Sequence, residues 1–223
     1  MDSIFKGDLS TTGGRALAWV DSLFIDHAIL RLAWTNLAVV EPGVLLRSNH
    51  PTPARLAGLV RRFGLRTVIN LRGKTQSGSD ALSRDAAARL GLEFHDLSLE
   101  SRGAPAVDRI LRLNGIYQTM ARPALIHCKS GADRAGLAAA LFVLCQGGTA
   151  DDALRQLSLR FGHIKQARTG ILDAFCLRYQ RDAEGRKPFL DWLTQDYDAD
   201  ALRRDFHANG LASFVNDWLL SRE

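Results

Sequence analysis

Residues 124–136 read Ala-Leu-Ile-His-Cys-Lys-Ser-Gly-Ala-Asp-Arg-Ala-Gly, and their pattern decides how the chain folds. Ala124 to His127 is a short apolar run that suits a buried strand. From Gly136 to Cys145 the residues are apolar all round, so the helix they form must be buried on every side. Between strand and helix lie seven residues, opening with Cys128 and closing with Arg134. A ligand in such a loop faces the carboxyl end of a strand and the amino end of a helix, the usual ligand position in α/β sheets.

Working outward, the upstream chain alternates between the two periodicities. Leu37 to Val40 and Val44 to Leu46 are predicted strands around a Glu41-Pro42-Gly43 turn. Pro53 opens a helix that Gly64 stops, and Arg66 to Leu71 is a β-branched, buried strand. Asp80 to Leu90 reads as a helix, Leu92 to Leu99 as an alternating strand and Val107 to Met120 as a helix. Downstream of the loop only helices follow: 149–161, 169–182, and a tail from Lys187 with three short amphipathic helices around Trp192, Leu202 and Trp218. The expected fold class is α/β: a small, partly parallel sheet flanked by helices, with a helical C-terminal extension. The 223 residues suit one well-cored domain, here expected at 37–184, preceded by an N-terminal segment at 1–36 and followed by an extension at 185–223 packed on the same domain. Within the N-terminal segment, Arg15 to Trp34 reads as an amphipathic helix. Its stripe of Trp19, Leu23, Leu30 and Trp34 is expected to face the core, with contact to a membrane surface as the alternative.

Composition narrows the function classes. A hydrophobic share of 46% and a charged share of 24% are those of an ordinary globular protein. A net charge of +5 and a pI near 9.4 favour anionic ligands. Asp21, Asp26, His27 and Arg31 interrupt the most apolar early stretch, which excludes an ordinary membrane span there. Met1 to Arg15 is polar and lacks the pattern of a secretory signal. Cys128, Cys145 and Cys176 have neither metal-ligand pairing nor the spacing of a disulfide scaffold, and so point to a reducing, cytoplasmic compartment.

The loop has a chemical reading of its own. Backbone N–H groups wrapped at a helix N-terminus cradle an anion, and the helix dipole adds positive potential. Gly131 allows a turn that a Cβ would obstruct. Arg134 offers a planar fork for two phosphate oxygens. The same donors favour the thiolate form of Cys128, which at the floor of such a cradle can attack phosphorus. The loop does not match the nucleotide-binding pattern G-x-x-x-x-G-K-[ST], because Leu137 follows Gly136.

His127-Cys128-Lys-Ser-Gly-Ala-Asp-Arg134 resembles the His-Cys-(five residues)-Arg signature of protein tyrosine and dual-specificity phosphatases. The version Cys128-x-x-Gly131-x-Asp133-Arg134 is most similar to that of myotubularin lipid phosphatases and some bacterial tyrosine phosphatases, and the resemblance spans 37–181. Upstream, Arg47-Ser48 and Asn70-Leu71-Arg72 resemble segments of bacterial members. The resemblance implies a metal- and cofactor-free phosphatase with Cys128 as nucleophile. Lys129, Ser130, Gly131, Ala132, Asp133 and Arg134 would hold the phosphoryl group, where phosphate, sulfate or vanadate would also bind. One departure is Ala135, where the family usually has Ser or Thr to help the sulfur leave. Slow breakdown of the phosphoenzyme follows, or a non-catalytic binding module.

The leaving group needs a proton, and three carboxyl groups compete to supply it. Asp96 stands 32 residues before the cysteine, a spacing like that in dual-specificity phosphatases. Asp133 lies inside the loop, as in myotubularins, where it acts as acid or braces Arg134. Glu100 follows the predicted strand and ranks third. Lys129 either binds a further anionic group or is a solvated lysine, Arg72 reaches the loop or pairs with a carboxylate, and Gln166 and Thr169 position water or cap a helix. The expected substrate is a phosphorylated protein, with a phosphoinositide or other phospholipid as the alternative. Peripheral membrane contact is allowed for, and nucleic acid is not expected.

Overall fold

A computed structural model describes residues 3–5, 7–31 and 33–207, apart from the side chains of residues 30 and 31. Five strands form one sheet in the order β1-β2-β5-β3-β4: β1 (Ala38–Glu41), β2 (Leu45–Ser48), β3 (Thr67–Asn70), β4 (Glu93–Asp96) and β5 (Ala124–His127). β1 pairs antiparallel with β2, and the other neighbours are parallel. The registers Ser48↔His127, Asn70↔His127 and Asn70↔Asp96 bring the carboxyl ends of β2, β3, β4 and β5 to one edge.

Alternation along these strands fills two cores. Leu45, Ile69 and Ile126 point to the larger one, among α4 (Val107–Thr119), α5 (Asp133–Cys145) and α7 (Ile171–Asp182). Leu46, Val68 and Leu125 point to the other, against α2 (Pro53–Phe63) and α3 (Gly78–Arg89). With both faces covered, the central strands β2, β3 and β5 are buried along their whole length, and their polar members Arg47, Ser48, Thr67, Asn70 and His127 are buried with them. Thr52 and Ser77 cap α2 and α3 through their hydroxyls, Pro53 opens α2, and Gly64 closes it in the left-handed region. α5 runs through the larger core with every residue from Ala135 to Phe142 buried. Phe189, Trp192 and Leu193 of α8 (Phe189–Gln195), and Leu202 in a helical stretch at 199–207, belong to that same core. The tail helix expected around Trp218 lies outside the described residues.

The N-terminal segment departs from the expected single helix. The helix expected over 15–34 is α1 (Thr12–Val20), a π turn (Asp21–Ile25) and a 3-10 turn (Ala28–Arg31). Asp21 breaks it by turning inward to accept hydrogen bonds from the Gly78 N–H at 2.6 Å, the Ile4 N–H at 2.9 Å and the Ser3 hydroxyl at 2.9 Å. Nor does the stripe pack on the core: Trp19 and Trp34 are exposed and Leu23 is half-buried. The helix expected over 149–161 also stops early, as α6 (Ala150–Arg155), and resumes as a 3-10 turn (Leu159–Phe161). The buried guanidinium of Arg47 takes the Gln156 carbonyl at 2.6 Å, satisfying the helix end from outside.

Candidate active site

Strand β5 delivers Cys128 to the sheet's carboxyl edge, and α5 begins five residues later at Asp133. Cys128 is buried, and its sulfur accepts a hydrogen bond from the Gly131 N–H at 3.2 Å, so the loop curls back over the thiol. Gly131 makes that curl possible. Its φ is +77°, and a Cβ there would stand 2.6 Å from the Asn49 backbone nitrogen. The Ala132 N–H donates to the Ser130 hydroxyl at 3.3 Å. Arg134 closes the loop half-buried, and its Nε is buried without a hydrogen-bond partner among the described residues.

Several groups hold the loop from behind. Arg47, fully buried on β2, donates to the carbonyls of Gly131 at 2.9 Å and Ala132 at 3.2 Å, with its guanidinium 3.9 Å from the centre of the Phe161 ring. Burial pulls the Arg47 pKa down to about 10, and the charge of Cys128 acts in the opposite direction. Asn36 donates to the carbonyls of Ser130 at 3.1 Å and Phe161 at 2.8 Å, and the His50 N–H to the carbonyl of Lys129 at 3.3 Å. Ala135 is fully buried at the first turn of α5.

Asp133 does not pair with Arg134 among the described residues. Its carboxylate meets His163 Nδ1 at 2.8 Å, and His163 Nε2 meets Asp173 of α7 at 2.6 Å. Burial opposes a charge on this imidazole. The hydrogen bonds and charges of Asp133 and Asp173 outweigh it and push the pKa up to about 9. A cationic His163 thus ties Asp133 at the start of α5 to Asp173 of α7.

Asp96 is likewise occupied. It ends β4 and turns sideways, receiving Arg84 on both oxygens at 2.7 and 2.5 Å and the Asn70 amide at 3.1 Å. Its spacing from Cys128 places it at the carboxyl edge of the sheet, with Arg84 on both of its oxygens. Glu100 differs. It lies on 97–106, the connection that leaves β4 at the same edge as the Cys128 loop. Arg109 holds Oε1 at 2.7 Å, while Oε2 is buried without a hydrogen-bond partner among the described residues.

At the rim, Asp26 meets Arg72 through two hydrogen bonds of 3.0 Å and Lys129 at 3.3 Å. Arg72 therefore pairs with a carboxylate, and Lys129, half in solvent, shares it. Gln166 is exposed, and the Thr169 hydroxyl donates to the Ile164 carbonyl at 2.9 Å without capping a helix. Burial pushes the Cys145 and Cys176 thiols up to about 12. Arg47, His163 and Asp173 had no assigned role in the sequence reading. Only Arg47 leaves a signal there, as part of the Arg47-Ser48 pair that resembles segments of bacterial members.

The model of the family described as DSP-PTPase phosphatase fused to NAD+ kinase matches residues 38–169, more than half of the chain. No curated relative matches at the sequence level. Among solved structures the chain is similar to TpbA of P. aeruginosa, with 23% identity over 77% of this chain and 90% of that one and a TM-score of 0.52. A TpbA variant in complex with pTyr gives 22%, 77%, 90% and 0.53 on the same measures. The catalytic core of Siw14 gives 16%, 78%, 92% and 0.52.

Proposed function

The chain belongs to the family of DSP-PTPase phosphatases fused to NAD+ kinase, and from that premise we propose that it hydrolyses phosphate monoesters through a phosphocysteine on Cys128. The observation that carries this reading is the loop itself. A buried thiol accepts the Gly131 N–H at a strand end, and at the start of the next helix stands the Arg134 Nε, buried and without a hydrogen-bond partner among the described residues.

Cys128 Sγ attacks phosphorus as the ester P–O bond breaks, and the departing oxygen takes a proton from Glu100. Arg134 and the loop amides hold the equatorial oxygens, which carry the charge of the transition state. Water then attacks phosphorus, the P–S bond breaks, the sulfur leaves as thiolate, and the water's proton returns to Glu100. Arg47 and His163 keep the loop in the geometry both steps need. Ala135 offers no hydroxyl to the departing sulfur, which makes the second step the slower one. The complex of the TpbA variant with pTyr supports an aryl phosphate on a protein as substrate, and a reactive thiolate fits a reducing, cytoplasmic setting.

Turnover of p-nitrophenyl phosphate by wild type and by Cys128→Ser tests the reading. The serine variant should bind phosphate and turn over nothing, because its hydroxyl does not ionise at neutral pH. Comparable activity in the two proteins would remove the claim.

A further inference from the structure

Residues 159–168 read Leu-Arg-Phe-Gly-His-Ile-Lys-Gln-Ala-Arg, with three lysine or arginine side chains besides His163 and no carboxylate. The inward side chains belong to the site: Phe161 lies under Arg47, and His163 bridges Asp133 and Asp173. The outward ones are of two kinds. Leu159 is 76% exposed and Ile164 52%. Arg160, Lys165 and Arg168 are also exposed, and none forms an ion pair among the described residues. Trp34, 49% exposed, lies against Gly162, where a Cβ would come within 2.7 Å of its ring.

The segment presents these groups on a stiff turn. The Ile164 carbonyl accepts the Ala167 N–H at 3.1 Å and the Thr169 hydroxyl at 2.9 Å, and the Ala167 carbonyl accepts the Gly170 N–H at 2.9 Å. Gly170 packs so closely that a Cβ would stand 1.8 Å from the Lys165 carbonyl oxygen. A braced loop that holds two large aliphatic side chains in water beside unpaired cations is not accounted for by folding.

We propose that 159–168, with Trp34 beside it, is a docking surface for an anionic lipid bilayer. Charge complementarity selects this occupant. Unpaired lysine and arginine meet anionic headgroups, while Leu159, Ile164 and Trp34 enter the boundary between headgroups and acyl chains. The long stems of the cations can follow the apolar groups inward while their charges stay at the headgroups. Because the inner side of the segment braces the cysteine loop, docking holds the loop's mouth at the bilayer surface. That orientation rests on the phosphatase reading, whereas the docking itself does not.

Co-sedimentation of the full chain with phosphatidylcholine vesicles, with and without phosphatidylglycerol, tests this. Wild type should pellet with the anionic vesicles only. Lys165→Gln with Arg168→Gln should weaken that binding roughly 25-fold at low salt, taking each cation near an anionic surface as worth about a factor of five. Leu159→Ser with Ile164→Ser should weaken it at all salt concentrations. Both double variants should keep wild-type turnover of p-nitrophenyl phosphate, so loss of docking and loss of catalysis are read separately. Failure of wild type to bind anionic vesicles overturns the proposal, even if the same face captures an acidic protein, and so does vesicle binding that neither double variant changes.

Discussion

Replacing His163 by Asn should destabilise the protein by an amount that depends on pH. The buried imidazole lies between Asp133 and Asp173 at 2.8 and 2.6 Å, and its pKa rises from 6.5 to about 9. A rise of that size corresponds to about 3 kcal/mol of extra binding of the proton by the native state. Because the native value lies above the unfolded one, this contribution is complete below about pH 6.5 and fades as the pH rises through about 9. Urea unfolding of wild type and His163→Asn at about pH 6 and about pH 10 isolates the effect, since other titrating groups cancel in the difference. The stability difference should shrink by about 3 kcal/mol between the two conditions. A difference of equal size at both would show that His163 is neutral in the native protein, and the cationic clamp on Asp133 would have to be abandoned.

Three other perturbations probe the cradle and the proton donor. Gly131→Ala should lower kcat/KM by on the order of 10²-fold or more, because the left-handed backbone and the 2.6 Å approach to Asn49 displace the loop; wild-type kinetics would mean that the loop tolerates another path. Arg47→Lys should cost about 2–4 kcal/mol in urea unfolding and lower kcat as well, since one ammonium cannot serve the carbonyls of Gly131, Ala132 and Gln156 together. Glu100→Gln should slow an alkyl phosphate at least ~10²-fold more than p-nitrophenyl phosphate, whose leaving group needs no proton, while Asp96→Asn and Asp133→Asn should affect both substrates alike. A leaving-group differential in either aspartate variant would transfer the acid role to that residue.

What the sequence discloses about this chain depends on how local the cause is. Strand 124–127 and helix 53–63 were readable to the residue, because an apolar run between turn signals, or a Thr-Pro start with a glycine stop, acts within a few positions. The order strand, Cys128, glycine turn and buried helix is legible because its parts are contiguous, but α5 starts at Asp133, inside the expected loop. Tertiary partners are not readable in this way. The early end of α1 is caused by Asp21 meeting Gly78, 57 residues on, and the early end of α6 by Arg47, 109 residues back. Spacing put Asp96 at the correct edge of the sheet but could not reveal Arg84 on both of its oxygens. His163 sits in a polar, turn-rich stretch with no periodicity, so nothing short of the fold joins it to Asp133.

The most direct test of the account is a rapid acid quench during turnover of p-nitrophenyl phosphate, followed by mass analysis of the peptides. Ala135 deprives the departing sulfur of a hydroxyl, so the phosphoenzyme should accumulate. A burst of nitrophenol should accompany one phosphoryl group on the peptide containing Cys128, and Cys128→Ser should show neither. Steady turnover with no phosphoryl group on Cys128, or with the label on another residue, would contradict covalent catalysis at this loop.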